Sequence, residues 1–387
     1  MTERRRIALL TYSTKPRGSV VHTLELANAL TKLGHEVCIY ALDKDGGGFE
    51  GELACECCLI PARPAPSAID QLIHQRIQEF VAALQQGNRR YDLYHAQDCI
   101  SANALIQLRQ RRPHFGPIVR TVHHIEDFQS PYLQSCQHKS IRLPDLCLCV
   151  SDRWQQVLRQ DYGIDAPKVL NGVNLQRFSP QFSGQEAAIR QRYGLTQRPT
   201  FLTVGGIEPR KNSLRLLRAF AQVRQQVPTA QLVIAGGATL FDYQPYRQQF
   251  FQLAEQLDIV TGESLILPGV IPAADLPDLY RSADVFVLPS TKEGWGLVLL
   301  EAIASGLPVI TANQAPFTEF LSPSQACLVN PQATDAIAKA MLRLLLPHAA
   351  QFLVRNSQRI GPQYSWQRSA QLHLDAYAKV LPVALSK

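Results

Sequence analysis

Residues 284–313, DVFVLPSTKEGWGLVLLEAIASGLPVITAN, show how the second half of the chain is built. The apolar run DVFVLPS predicts a buried strand, and the helical spacing of apolar residues in GLVLLEAIASG predicts a helix after it. The run LPVITAN then predicts another strand. A strand, a helix and a further strand in this order form the repeating unit of a parallel α/β sheet.

The same alternation runs through most of the chain. PTFLTVGGI, AQLVIAGG and SLILPGV predict strands of this second series, and RRIALLTY, HEVCIYAL, YDLYHAQ, PIVRTVHH and LCLCVS predict strands of a first series. Between the two series, NGVNLQRFSPQFSG (residues 171–184) is typical of a domain boundary. We therefore predict an α/β protein with two Rossmann-like domains, which face each other across a cleft and bind ligands at the carboxyl ends of their strands.

The predicted first domain comprises residues 1–177, and the predicted second domain comprises residues 178–363. The last segment, residues 364–387, has Trp366 and Tyr377 on one face of a predicted helix. We expect this helix to cross back and pack on the first domain.

Composition indicates a globular protein. The chain has 387 residues, of which 46% are hydrophobic and 18% charged. The first apolar run, Ile7 to Leu10, is too short for a signal peptide, and no apolar stretch of about 18 residues occurs. The nine cysteines have irregular spacings that do not suggest a disulfide framework. We therefore expect a cytoplasmic protein whose membrane association is at most peripheral.

The net charge of +7 suits a small anionic substrate and does not indicate a nucleic-acid partner. We also expect no metal site. The sequence Asp43-Lys44-Asp45 could suggest a metal-bound nucleotide sugar, but three glycines follow it, and a surface loop is the better interpretation.

Two loops are candidate anion sites because each precedes a predicted helix. VGGIEPRKN (residues 204–212) combines two glycines with Arg210 and Lys211, so backbone donors, a helix dipole and two cations coincide. A solvated turn with basic residues is the alternative. TKPRGSVV places Gly18 at the first turn of the first domain, where a simple turn is the alternative. The Gly18 loop lacks the Gly-x-Gly-x-x-Gly pattern, which disfavours a nicotinamide dinucleotide site.

Glu293 and Glu301 stand eight residues apart in the opening stretch. Glu293 comes at the carboxyl end of a predicted strand, and Glu301 lies on the helix, about 12 Å further along its axis if all the intervening residues are helical. At that separation the two carboxylates do not share a proton. They can instead hold different parts of one ligand, because a carboxylate accepts two hydroxyl hydrogen bonds and therefore suits a sugar diol.

EGWGLVLLEAIASGLPVI (residues 293–310) resembles the Glu-x7-Glu motif of the retaining family 4 (group 1) glycosyltransferases, which have the GT-B fold. NGVNLQRF, IEPRKN and ADVFVLPS are similar to three further motifs of that family, in the family's order. The N-terminal half resembles it more loosely, through PRGSVVHTLELANALTKLGHEV and RTVHHIEDF. Within the family, the N-terminal sequences look like a bacterial subgroup associated with nitrilase-linked gene clusters.

The resemblance implies a retaining, metal-independent transfer of a hexosyl group from a nucleoside-diphosphate sugar to an acceptor, without any other cofactor. The N-terminal domain would bind the acceptor, which would be a small molecule, a lipid or a glycan. The C-terminal domain would bind the nucleotide sugar. As the diphosphate leaves, cations and helix N-termini would stabilise the negative charge that builds on it.

The resemblance also implies roles for individual residues. The catalytic group would be His123 near the donor sugar, Arg210 and Lys211 at the diphosphate, and Glu293 at the sugar hydroxyls. The donor-binding group would be Gly18, Gly206, Val270 (through its backbone at the base), Gly294, Trp295, Gly296 and Leu297 (through their N–H groups), and Glu301 (at the ribose).

Three departures leave points open. Gly205-Gly206 stands where many members have Gly-Arg, so the cationic role falls on Arg210 and Lys211. Asn174 replaces the usual acid of the hinge. His124 beside His123 leaves open which of the two faces the donor. The alternative functions are a nucleotide-sugar epimerase, which would need added acid or base groups, and a non-catalytic nucleotide-sugar-binding protein.

Overall fold

The computed structural model describes residues 4–87, 89–112, 115–237 and 243–381. Packing divides the chain into two units. The first unit runs to Gly172 and resumes at Ser365, and the second unit is Val173–Tyr364. The predicted domain boundary at 177/178 lies a few residues beyond this division.

The first unit is built on a parallel sheet with the strand order β3-β2-β1-β4-β5-β6. Its strands are β1 (Arg6–Thr11), β2 (Glu36–Asp43), β3 (Glu56–Pro61), β4 (Leu93–Ala96), β5 (Ile118–Val122) and β6 (Leu146–Cys149). Helices cover the sheet, so Ile7 to Leu10 of β1 are completely buried, as the continuous apolar run of a central parallel strand requires. The strand order reverses between β1 and β4, which makes their carboxyl ends the switch point where ligands bind in such sheets.

The helices of the first unit are α1 (Gly18–Lys32), α2 (Ile69–Gln86), α3 (Cys99–Arg111), α4 (Pro131–Arg142), α5 (Asp152–Tyr162) and the C-terminal helix, numbered α13 in chain order (Trp366–Tyr377). Helix α13 packs against α1, which agrees with the prediction that the C-terminal helix crosses back to the first domain. A Cβ at Gly172 would lie 2.5 Å from the backbone nitrogen of Trp366, so only glycine allows the returning chain to approach so closely. Residues 382–387 of the predicted C-terminal helix (364–387) lie outside the described residues.

The second unit repeats the topology. Its parallel sheet has the order β12-β11-β10-β7-β8-β9. Read from the other end, with β7 counted as the first strand, this is the order of the first sheet. The strands are β7 (Thr200–Val204), β8 (Gln231–Ala235), β9 (Leu265–Gly269), β10 (Val285–Leu288), β11 (Val309–Ala312) and β12 (Cys327–Val329). The prediction of an α/β fold with two Rossmann-like domains is therefore confirmed.

The helices of the second unit are α6 (Glu186–Arg192), α7 (Ser213–Gln226), α8 (Gln244–Gln256), α9 (Leu276–Ser282), α10 (Leu297–Ala304), α11 (Thr334–Arg343) and α12 (Pro347–Ser357), with 3-10 turns at Pro209–Lys211, Phe317–Glu319 and Gly361–Gln363. Among the described residues, no single helix has both the length and the apolar composition to cross a bilayer. The bent pair Thr334–Arg343 and Pro347–Tyr377, with 94° between its parts, meets those two criteria together.

Candidate active site

The candidate site lies at the switch point of the second sheet. Strands β7 and β10 are neighbours there, and the chain leaves their carboxyl ends in opposite directions across the sheet. The loop after β7 carries Arg210 and Lys211, and the loop after β10 carries Glu293. The fold therefore brings together residues that are more than 80 positions apart in the sequence.

Glycines allow the loop after β7 to contact the loop after β8 through backbone atoms. Gly205 has a φ of +145°, and a Cβ on Gly236 would lie 2.4 Å from the carbonyl carbon of Gly205. A Cβ on Gly206 would lie 2.7 Å from the carbonyl oxygen of Gly237. Because real Cβ atoms do not approach backbone this closely, these positions exclude larger residues.

Asn212 fixes the cationic loop to the end of β10. It is 6% exposed and has a φ of +62° between the 3-10 turn and α7. Its side-chain amide donates to the carbonyl oxygens of Pro289, at 3.0 Å, and Pro331, at 2.7 Å. The backbone N–H of Thr291 donates to the carbonyl oxygen of Arg210 at 2.8 Å. The two loops are thus held together independently of their charged side chains.

Glu293 makes direct ion pairs with both cations. Its Oε1 lies 2.6 Å from Lys211 Nζ, and its Oε2 lies 3.0 Å from Arg210 Nη1. Ser290 Oγ donates to Oε1 at 3.1 Å. On the other side of the guanidinium, Arg210 Nε lies 2.8 Å from a carboxylate oxygen of the buried Glu208. The resemblance implies that the cations and Glu293 contact different parts of a ligand, whereas the structure joins them in one network.

The network keeps Glu293 ionised. Burial alone would raise its pKa, but the charges of Lys211 and Arg210 outweigh burial and lower the pKa of Glu293 to about 2. A carboxyl group with this pKa does not donate a proton near neutral pH. It can accept hydrogen bonds from hydroxyl groups and orient the two cations, so Glu293 suits ligand binding better than acid catalysis.

Helix α10 starts beside this network. Gly296 precedes it with a φ of +112°, and a Cβ there would lie 3.0 Å from the ring of Phe317. The first N–H groups of a helix have no partner within the helix and can bind an anion. Trp295 is 4% exposed, and its ring stacks on Phe320 at 4.7 Å between centroids. Its indole therefore belongs to the core of the second unit, which leaves the backbone as the part that can contact a ligand.

Glu301 has a different environment from Glu293. It lies in the second turn of α10, is 8% exposed and accepts a hydrogen bond of 2.8 Å from Tyr280 Oη. Burial and the neighbouring Glu301 carboxylate raise the pKa of Tyr280 well above its ordinary value, so the tyrosine stays a donor. Because residues 291–296 precede the helix, the 12 Å expected from a continuous helix does not describe the interval.

Val270 follows β9 in the same unit and is 52% exposed. Its Cγ2 would be 2.6 Å from a Cβ on Gly237, so it borders the glycine-rich loops described above. Val270, Gly206, Lys211 and Glu293 thus all belong to loops after the strand ends of one sheet.

Gly18 and His123 belong to the first unit. Gly18 is the first residue of α1, and no atom would lie within 4 Å of a Cβ placed on it, so the backbone of this helix N-terminus is open. His123 follows β5, and its Nε2 lies 3.0 Å from Gln97 Oε1. His124 is exposed, and its Nε2 lies 2.7 Å from Glu126 Oε1. Of the two histidines, His123 is the one turned toward the interior of the first unit.

Sequence reasoning missed the histidines that surround His123. His22, His95 and His373 are all completely buried in the first unit. Burial lowers the pKa of His22 to about 4 and that of His373 to about 3, so these rings are neutral at ordinary pH. Their positions in the sequence are far apart, and no spacing rule connects them. In the described parts of the chain, no group of three or more His, Cys, Asp or Glu residues could hold a metal ion.

Two family models match the chain. The model described as Glycosyltransferase Family 4 matches residues 16–177, and the model described as Glycosyl transferases group 1 matches residues 185–353.

Relatives and solved structures are similar to the chain over different lengths. A GDP-mannose-dependent alpha-(1-6)-phosphatidylinositol monomannoside mannosyltransferase of Mycolicibacterium smegmatis is 34% identical over a segment that covers 45% of this chain and 45% of that protein. A D-inositol 3-phosphate glycosyltransferase of Rhodococcus jostii is 27% identical, with 96% and 89% covered. The structure of sucrose-phosphate synthase from Thermosynechococcus elongatus superposes with a TM-score of 0.79 at 24% identity and covers 97% of this chain and 99% of that one, which shows a shared fold.

Proposed function

Because models of the family 4 and group 1 glycosyltransferases match its two halves, the chain belongs to this family of GT-B enzymes, and we propose that it transfers a hexosyl group from a nucleoside-diphosphate sugar to an acceptor hydroxyl. The acceptor would be a small molecule, a lipid or a glycan. The observation that carries the proposal is the network of Glu293, Lys211 and Arg210 beside the N-terminus of α10.

This network suits the charge changes of the reaction. When the bond between the anomeric carbon and the β-phosphate oxygen breaks, negative charge builds on the diphosphate and positive charge on the sugar. Lys211 and Arg210 would stabilise the diphosphate, together with the N–H groups of Gly294 to Leu297. Glu293 would hold sugar hydroxyls and, because it already contacts both ammonium and guanidinium groups, would keep them oriented before the donor binds.

The remaining roles follow from the resemblance. Glu301 would accept hydrogen bonds from the ribose diol, and Val270 would contact the base through its backbone. Gly206 and Gly18 would face the diphosphate, and His123 would contact a hydroxyl of the donor sugar. We further propose that the anomeric configuration is retained and that no metal is needed, since Lys211 and Arg210 can supply the positive charge that a divalent metal would otherwise bring to a diphosphate. We also propose, from the resemblance of its N-terminal sequences, that the chain belongs to the bacterial subgroup associated with nitrilase-linked gene clusters.

A binding screen followed by turnover assays tests the function. The full chain is heated with UDP-, GDP- and ADP-linked glucose and mannose, and a donor present at about 100 times its Kd should stabilise the folded state by about 2.7 kcal/mol. The donor that binds should then be hydrolysed slowly without acceptor and with the same rate in EDTA. NMR of the product formed with an acceptor should show the anomeric configuration of the donor.

The other outcomes decide against the proposal. Interconversion of one nucleotide sugar into another would show an epimerase. Tight binding with neither hydrolysis nor transfer, across a panel of hydroxyl acceptors, would show a binding protein. If no nucleotide sugar binds, the role assigned to the network of Glu293, Lys211 and Arg210 is wrong.

A further inference from the structure

A glutamine lies among four histidines inside the first unit. The ring centroids of His22 and His123 are 4.8 Å apart, those of His22 and His373 are 5.4 Å apart, and those of His95 and His373 are 5.6 Å apart. Gln97 connects two members of this group, because its side chain lies between His95 and His123. Among these side chains, hydrogen-bonding contacts link His95, Gln97 and His123, whereas the contacts of His22 with His123 and His373 are between ring faces and edges.

The backbone of Gln97 is fixed at the switch point of the first sheet. The residue directly follows β4, is 1% exposed and donates its backbone N–H to the carbonyl oxygen of Leu10 in β1 at 2.9 Å. Its side-chain Oε1 lies 3.0 Å from His123 Nε2, and its Nε2 lies 3.3 Å from both ring nitrogens of His95. The residue is therefore held at its backbone and at its amide oxygen, and its amide nitrogen can donate only to the one His95 ring nitrogen that carries no proton.

His95 is itself held by two hydroxyl groups. Its Nδ1 lies 2.7 Å from Tyr377 Oη on α13, and its Nε2 lies 2.7 Å from Thr121 Oγ1 on β5. Burial raises the pKa of Tyr377, so this hydroxyl keeps its proton. A continuous chain of contacts thus runs from the C-terminal helix through His95 and Gln97 to His123.

This arrangement determines where His123 carries its proton. The structure turns the amide oxygen of Gln97 toward His123 Nε2, and with the amide in this orientation Nε2 must be the protonated nitrogen, because an amide oxygen accepts hydrogen bonds and donates none. Burial, together with the neighbouring His22 and Arg120, holds the pKa of His123 well below its ordinary value, so the ring is neutral and carries one proton only. The other nitrogen, Nδ1, is then an acceptor.

We propose that Gln97 is a positioning residue, which fixes His123 as the tautomer with its proton on Nε2 and so presents Nδ1 as the hydrogen-bond acceptor for a substrate hydroxyl. His95 and Tyr377 orient the amide of Gln97. The tautomer of His123 follows from the geometry of the first unit alone. The consequence for catalysis rests on the proposed function, because a hydroxyl of a sugar donor or acceptor is the group that Nδ1 would receive.

NMR of the full chain labelled with 15N-histidine tests the tautomer without any substrate. The His123 signals are assigned as those lost in His123→Asn. We expect a protonated-type Nε2 and an unprotonated-type Nδ1 at pH 7 in the wild type. In Gln97→Leu, loss of one hydrogen bond should change the ratio of the tautomers by about fivefold. Gln107→Leu, which removes an amide paired with Gln78 at 3.0 Å elsewhere in the first unit, should leave the His123 signals unchanged.

A second variant keeps the test informative if Gln97→Leu does not fold. Gln97→Glu retains an acceptor opposite His123 Nε2 but adds a negative charge, which should raise the pKa of His123 markedly. The other groups that act on this ring are His22 of α1, His95 of β4, Arg120 of β5 and His124, and none of them changes in the variant. A wild-type His123 protonated on Nδ1, or a pKa of His123 unaffected by Gln97→Glu, would overturn the proposal.

The kinetic measurement separates this proposal from the proposed function. Once a donor and an acceptor are known, Gln97→Leu should lower kcat about tenfold or more while KM for the donor changes less, since the lost interaction orients a group at the reacting sugar. Equal kcat in wild type and variant would refute the catalytic part. If no transfer is found in the wild type, the proposed function fails, while the NMR result still decides the role of Gln97.

Discussion

Lys211→Ala should slow turnover far more than it weakens donor binding. Lys211 Nζ lies 2.6 Å from Glu293, and the lysine side chain is 13% exposed, so this cation acts where water screens it poorly. Removal of one preorganised group that stabilises charge in a transition state typically lowers kcat by about 10² to 10³, equivalent to about 2.7–4 kcal/mol. Arg210, which lies 3.0 Å from Glu293, is not changed in the variant, so binding of the diphosphate should persist.

The variant will also be less stable, because half of the positive charge beside a buried carboxylate is lost. Breaking a buried ion pair costs about 3–5 kcal/mol, so rates must be measured well below the Tm of the variant and at saturating donor. Lys339→Ala, on the exposed face of α11, is the matched control and should leave kcat unchanged. A Lys211→Ala enzyme with the kcat and kcat/KM of the wild type would refute the role assigned to this cation.

Three further variants test other parts of the site. Glu301→Ala should raise the Kd of the free nucleotide by about tenfold or more, because hydrogen bonds to a charged acceptor contribute about 1.5–3 kcal/mol each. The control Glu255→Ala, on the surface of α8, should leave this Kd unchanged. A Kd of Glu301→Ala equal to that of the wild type in calorimetry would exclude the ribose role. The pKa of Glu293 is lowered from 4.5 to about 2, so the contribution of its carboxylate to stability is complete above pH 4.5 and is lost as the pH falls toward 2. In urea unfolding, the stability of Glu293→Gln should therefore fall by about 3 kcal/mol less than that of the wild type over this pH range. Parallel pH profiles of the two proteins would contradict this. Gly236→Ala should lower the free energy of unfolding in urea by about 1–3 kcal/mol, because the added Cβ would overlap Gly205. Gly18→Ala, with open space around the added Cβ, should leave that free energy nearly unchanged. Equal effects of the two substitutions would show that the loops of Gly205 and Gly236 separate easily.

The apolar strands could be predicted from the sequence, and the exposed edge could not. β1, β7 and β10 are short runs of buried aliphatic residues bounded by loops, and this pattern is a direct consequence of helices on both faces of a parallel sheet. β3 was missed, since it is an edge strand whose residues are mostly exposed and include Glu56 and two cysteines. β3 pairs with β2 along one edge only, and most of its side chains are exposed, so its sequence does not need the apolar pattern of a buried strand.

Arg210, Lys211 and Glu293 were singled out from the sequence, but the contacts between them were not predicted. The loops after β7 and β10 were recognised because glycine, basic residues and a glutamate stand at the ends of strands next to helices. That Lys211 and Glu293 form an ion pair depends on β7 and β10 being neighbours, which is a property of the strand order and not of either loop. The contact of Gln97 with His123 likewise arises because the ends of β4 and β5 are neighbours in the first sheet.

The discontinuity of the first unit sets an order on folding during synthesis. The second unit, Val173–Tyr364, is one uninterrupted stretch of chain and leaves the ribosome complete before the first unit has received α13. Until then, His22 of α1 lacks Trp366 and His373 of α13, two of the rings that it contacts. A chain that ends at Tyr364 should therefore hold a complete second unit attached to a first unit that lacks α13 and its contacts with α1.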